Sequence, residues 1–144
     1  MTRSADAIGL AQTIGGNVEA TDAETILVPA DRLLDIATRL KNPEGMCFDY
    51  LDMITAVDYE EYFELVYRFV SMAENKRLTI NTRVPKGNPV VDSLTGLWKS
   101  ADFQERELFD LFGITFNGHS CLRRMMLWEG FQGHPLRKDY GRGA

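Results

Sequence analysis

The alternation of apolar and polar positions changes period several times along the chain, and each change predicts an element. Residues 4–14 predict a first helix, ended by Gly15-Gly16. The β-branched run at 25–28 predicts a short strand. Pro29 follows, and proline is preorganised for a first helical turn, so a helix is expected to run on to Leu40. Leu33, Leu34, Ala37 and Leu40 share one face of it, and the Asn-Pro-Glu-Gly sequence at 42–45 ends it. Residues 47–57 are apolar on both faces, as a central strand would be. The next strand puts Phe63, Leu65, Tyr67 and Phe69 on one face. After a turn at 74–76, Leu78, Ile80, Thr82 and Val84 alternate with polar neighbours. Such close spacing favours an antiparallel meander, because parallel strands need long crossovers. Residues 85–89 are a loop by composition, 92–99 predict a short helical piece, and 102–112 a stronger helix. The fold class expected is α+β: an antiparallel or mixed sheet with helices packed on one face, followed by an extended C-terminal docking segment.

Composition bounds this picture without changing it. The chain has 144 residues, 44% hydrophobic and 26% charged, enough for one ordinary domain with a sizeable core. Two cysteines, Cys47 and Cys121, are too few and too far apart for a secreted disulfide framework, so a reducing compartment is the simpler expectation. No apolar run approaches the roughly 20 residues that cross a bilayer. The N-terminus lacks the pattern of a signal peptide. Any membrane association is expected to be indirect, through partners.

Charge divides the chain in two. The net charge is −5, yet residues 1–116 hold 11 Lys and Arg against 19 Asp and Glu, whereas 117–144 hold five basic residues against two acidic ones. This marks an acidic α+β domain, 1–116, and a basic docking segment, 117–144, within one structural unit. A basic tail on an acidic body either meets an acidic partner or folds back on itself.

The candidate chemistry lies between 105 and 140. Asp102 can cap the last helix with Glu105 three residues on, an acidic form of the capping box. Leu108, Leu111 and Phe112 can face a core, Arg106 and Asp110 can pair outside at i, i+4, and Gly113 stands where a left-handed cap belongs. Both histidines follow glycine and precede a basic pair: Gly118-His119 runs to Arg123-Arg124, and Gly133-His134 runs to Arg137-Lys138. Three readings are open. His119, Cys121 and His134 could ligate a metal, though structural zinc ligands come in closer pairs. One histidine could be a general base, though no nucleophile sits in a recognisable setting. Or the histidines are hydrogen-bonded shapers of compact loops, which the company of glycines favours. The basic pairs lack any nucleic-acid module around them, so no nucleic acid is expected; carboxylates of a partner protein suit the same facts better.

Taken together, Glu105-Arg106-Glu107, Asp110, Gly113-Ile114, Phe116, Gly118-His119, Leu122-Arg123-Arg124 and the run Gly133-His134-Pro135-Leu136-Arg137-Lys138-Asp139-Tyr140 closely resemble the signature of the 30 kDa (C-type) subunit of respiratory complex I. The chain departs from that pattern at Ser120 and Cys121, where the family usually has proline and an acidic or amide residue, and after Tyr140. The resemblance implies a non-catalytic peripheral-arm subunit of a proton-translocating NADH:quinone oxidoreductase. It implies partners, namely the large quinone-site (49 kDa, D-type) subunit and the small iron–sulfur (B-type) subunit, at the cytoplasmic face of the cell membrane. It implies no cofactor in this chain, with NAD, FMN, iron–sulfur clusters and quinone in partner subunits; two distant cysteines could not hold a four-cysteine cluster in any case. Glu105, Arg106, Asp110, His119, Arg123, Arg124, His134, Arg137, Lys138 and Asp139 are the expected partner contacts. The alternative is the equivalent subunit of a sister complex: a membrane-bound energy-converting hydrogenase, or a ferredoxin- or F420H2-dependent quinone or phenazine oxidoreductase.

Overall fold

The computed structural model describes residues 3–4, 18–21, 24–41, 48–72 and 75–119. Most of the expected first helix lies outside them, as do the stop at 42–45 and the greater part of the docking segment, with Arg123, Arg124, His134, Arg137, Lys138 and Asp139.

A long strand pair and its neighbours make the frame. β4 (Tyr50–Asp58), β5 (Tyr62–Ser71) and β6 (Lys76–Pro85) form the expected antiparallel meander. β3 (Thr25–Val28) joins the other side of β6 in parallel, and β2 (Glu19–Ala20) pairs antiparallel with β3. β1 (Arg3–Ser4) also lies parallel to β6, so Ser4 belongs to a strand and not to the helix expected from residue 4. The sheet is therefore mixed, in the order β2-β3-β6-β5-β4.

Register explains the core. Ile54, Tyr67, Ile80 and Ile26 stand side by side across four strands, and Ala56, Leu65, Thr82 and Val28 form the next row. The alternating residues Phe63, Leu65, Tyr67, Phe69, Leu78 and Ile80 are all fully buried, as their period of two predicts. Each such side chain contributes about 1.5–3 kcal/mol by leaving water. Thr82, buried on the same face, satisfies its hydroxyl by donating to the Val28 carbonyl at 2.8 Å.

Pro29 leads into a 3-10 turn (Ala30–Arg32) and then α1 (Leu33–Lys41). Leu33, Ile36, Ala37 and Leu40 are buried, while Leu34 is left exposed; the buried stripe is rotated so that Ile36 takes its place. The second helix, α2 (Ala101–Phe112), buries Ala101, Leu108 and Phe112 in the same core, and Phe112 meets Phe63 edge-on at 5.8 Å.

Three expectations are corrected. Among the described residues β4 is an edge strand of its sheet, not a central one. Its edge is covered from the side by α2: Ser100 Oγ donates to the Leu51 carbonyl at 2.8 Å, and the Ile54 amide donates to Gln104 Oε1 at 2.5 Å. Residues 92–99 hold the end of a strand followed by turns, not a helix, and two short strands on either side of α2 were not expected. β7 (Val90–Asp92) and β8 (Thr115–Asn117) form a parallel two-stranded ladder that brackets α2. Finally, α2 begins one residue earlier than expected. Ser100 flanks its first turn with no side-chain cap, so Asp102 is not the N-cap.

Candidate docking site on the second helix

Three stripes of α2 do three different jobs. The inner stripe is Ala101, Glu105, Leu108 and Phe112. The flank is Ser100 and Gln104, spent on the β4 edge. The outer stripe is Lys99 in the entering turn, then Phe103 and Arg106.

Glu105 does not fold back on its own helix. It is fully buried and ties α2 to the segment that follows β7: Ser93 Oγ donates to one carboxylate oxygen at 2.6 Å and the Leu94 amide to the other at 2.8 Å. Ser93 Oγ also lies 2.8 Å from Thr95 Oγ1 and accepts the Thr95 amide at 3.1 Å. Burial raises the Glu105 carboxyl above the ordinary carboxylate range, and the hydrogen bonds from Ser93 and Leu94 oppose this. Close by, burial and then the Glu105 and Asp92 charges push the Tyr67 phenol well above its usual value. Its hydroxyl is buried with no hydrogen-bond partner among the described residues.

Asp110 is also fully buried, so the outward pairing with Arg106 expected from their spacing does not form at the surface. Gly113 does adopt the left-handed conformation (φ 80°), and its amide closes the helix on the Phe109 carbonyl. Gly118 repeats the trick at φ 86°, turning the chain so that His119 comes back over the first turn of α2. There His119 Nε2 lies 2.9 Å from Asp102 Oδ1 and 3.3 Å from the Asp102 carbonyl. Both neighbours are acceptors, so Nε2 carries the proton. The imidazole is almost wholly buried while Asp102 stays half-exposed. Among the described residues no group of three or more His, Cys, Asp or Glu could hold a metal ion, and His119 is engaged as a loop clasp.

Ser93, Thr95, Lys99 and Phe103 do not stand out in the sequence. The first two carry a usable signal: Ser and Thr spaced by one residue just ahead of a helix are typical of side-chain-to-backbone turns.

Residues 26–143 match the family model described as the 30 kDa subunit of respiratory-chain NADH dehydrogenase. The chain belongs to this family. A relative from Roseiflexus sp. (strain RS-1), named as the C-type subunit of NADH-quinone oxidoreductase, is 41% identical over 138 residues, covering 94% of this chain and 79% of the relative. One of the same name from Moorella thermoacetica is 43% identical over 124 residues, 85% of this chain and 82% of its own. Among solved structures, a trypsin-resistant fragment of Nqo5 superposes with a TM-score of 0.66 at 30% identity, over 78% of this chain and 93% of that one. A chain of an archaeal membrane-bound sulfane sulfur reductase shares the fold, with a TM-score of 0.73 at 23% identity, over 93% of this chain and 82% of the other. The family membership, the α+β class and the mixed sheet expected from the sequence are thus all found.

Proposed function

We propose that this chain works as the 30 kDa, C-type subunit of an NADH-quinone oxidoreductase, holding partner subunits in place with no chemical step of its own. The observation that carries this reading is the match to the 30 kDa subunit family over residues 26–143. The relatives bearing that name cover most of this chain and of themselves. The polar residues of the signature support the same reading. Glu105 and His119 brace loops, and no catalytic constellation is needed to explain them.

On this reading the partners are the large quinone-site subunit and the small iron–sulfur subunit. The location is the cytoplasmic face of the membrane, reached through the complex. NAD, FMN, iron–sulfur clusters and quinone belong to the partners. Arg106, Arg123, Arg124, Arg137, Lys138 and Asp139 contact those partners directly, while Glu105, Asp110, His119 and His134 set the shape of the contact surface. The shared fold of the sulfane sulfur reductase chain does not choose between complex I and a sister complex, because electron donor and acceptor are selected by other subunits. Affinity capture of the tagged chain from detergent-solubilised native membranes tests the reading. The expected outcome is co-purification with NADH:quinone reductase activity and iron–sulfur subunits. Recovery of the chain alone, or with nickel-bearing hydrogenase subunits, overturns it.

A further inference from the structure

The outer stripe of α2 holds three residues that the described part of the fold leaves unused. Phe103 and Arg106, three residues apart, share one face of α2, and Lys99 stands in the turn that enters the helix, four residues before Phe103. Phe103 is 58% exposed, in contrast to the inner-stripe Phe112 at 8%. Lys99 is exposed, and no ion pair or hydrogen bond of its side chain is found among the described residues. Arg106 is half-buried, and its Nε is shielded from solvent without a hydrogen-bond partner among them. Other arginines behave differently: Arg83 pairs with Glu64, Arg77 with Glu24 and Arg68 with Asp52. Among the described residues Lys99 and Arg106 have no ion pair, which leaves two cations beside exposed Phe103 available to another molecule.

The surroundings leave room for one. An open cleft of about 370 Å³ adjoins the stripe, lined by Thr95, Gly96, Lys99, Asp102 and Gly118. A Cβ added at Gly96 or Gly118 would meet nothing within 4 Å. The stripe is open over the first two turns of α2 and closes at buried Asp110.

We infer that Lys99, Phe103 and Arg106 are a docking stripe for a neighbouring protein subunit, one that presents two carboxylates flanking an apolar side chain. Lys99 stands in the turn before the helix and Arg106 in its second turn, on either side of Phe103, so the partner's two carboxylates must flank its apolar group. Phe103 inserts between them, and the guanidinium takes its carboxylate end-on, through its terminal amines. Phenylalanine beside arginine is also the composition of interface cores, where charge is otherwise scarce. This inference rests on the functional reading above and names the chemistry of the contact.

The test replaces the native chain, in cells, by tagged Phe103→Ala, Arg106→Glu or Lys99→Glu/Arg106→Glu. It then measures how much chain is retained in the membrane complex as salt is raised, alongside thermal melting of each purified full-length chain. The expected result is roughly tenfold weaker retention for Phe103→Ala, a larger loss for the charge reversals, and unchanged melting, as for anchor residues of an interface. Retention of the wild type should fall with salt, and Arg106→Gln should flatten that dependence. Recovery of assembly when a partner carboxylate is reversed to lysine against Arg106→Glu would add direct support. Wild-type retention by all variants overturns the inference. So does early melting of the Arg106 variants with normal assembly of Phe103→Ala, which makes the arginine an internal strut. A purified wild-type dimer that Phe103→Ala dissolves overturns it as well, in favour of a second copy. Failure of the wild-type chain itself to join any complex overturns the functional reading, and the inference with it.

Discussion

The two α-helices among the described residues handle their charges in opposite ways. On α1, Asp35 stands between Arg32 and Arg39 at 3.7 and 3.6 Å, in pairs three and four residues apart, with Asp35 and Arg39 more than half-exposed. Thr38 likewise donates to the Leu34 carbonyl of its own helix. These polar groups of α1 are settled locally. On α2, Glu105 reaches the segment after β7, Gln104 and Ser100 serve the β4 edge, Asp102 holds His119, and Lys99 and Arg106 keep no ion pair among the described residues. A helix whose polar groups bond within itself only has to cover a core. One whose polar groups reach elsewhere organises other elements, and α2 does so for both β4 and the loops around it.

The contrast is sharpest between the aromatic residues of α2. Phe112→Ala should cost about 3–4 kcal/mol in denaturant unfolding, because it empties a packed site against Phe63. Phe103→Ala should stay within about 0.5 kcal/mol, as an exposed side chain does. Equal costs would mean that the outer stripe belongs to the core and would remove the distinction.

Glu105→Ala is the next largest effect. It strands the Ser93 hydroxyl and the Leu94 amide, and about 2–3 kcal/mol of stability should be lost. Its pH dependence has a definite sign. The folded carboxyl titrates above its unfolded value, so the folded state binds more protons between the two values. The stability Glu105 contributes is therefore full below the ordinary carboxylate value and declines as pH rises through the raised one. Glu105→Gln should flatten stability against pH across that window; an unchanged slope would show that the carboxyl is not the titrating group.

Asp35→Ala should have the smallest effect, about 0.5 kcal/mol or less and diminishing with salt, because both of its ion pairs lie at the surface. A loss as large as that of Glu105→Ala would erase the difference between the helices.

Legibility follows the same division. The inward residues of β5 and β6 can be read from the sequence because burying one sheet face imposes a period of two on ten-residue strands. β7 and β8 cannot, because three residues carry no period and their pairing joins segments on either side of a helix. The Glu105-Arg106-Glu107 motif is visible at once, yet its spacing suggests the wrong geometry. A glutamate three residues after Asp102 has a local partner to offer, and nothing in the spacing reveals that Ser93 competes for it and wins.

By itself the sequence determined the family, the α+β class, the extent of α1 and α2 within a few residues, and which faces of β5 and β6 are buried. These follow from local periodicity and from a long motif, both written in neighbouring residues. Only the tertiary structure decided that β3 enters the sheet parallel to β6, that β4 is an edge shielded by α2, and that Glu105 and Asp110 turn inward while Phe103 stays out. Those outcomes depend on which distant backbone and side-chain groups meet in space, and the energy of such meetings is not encoded in any one segment.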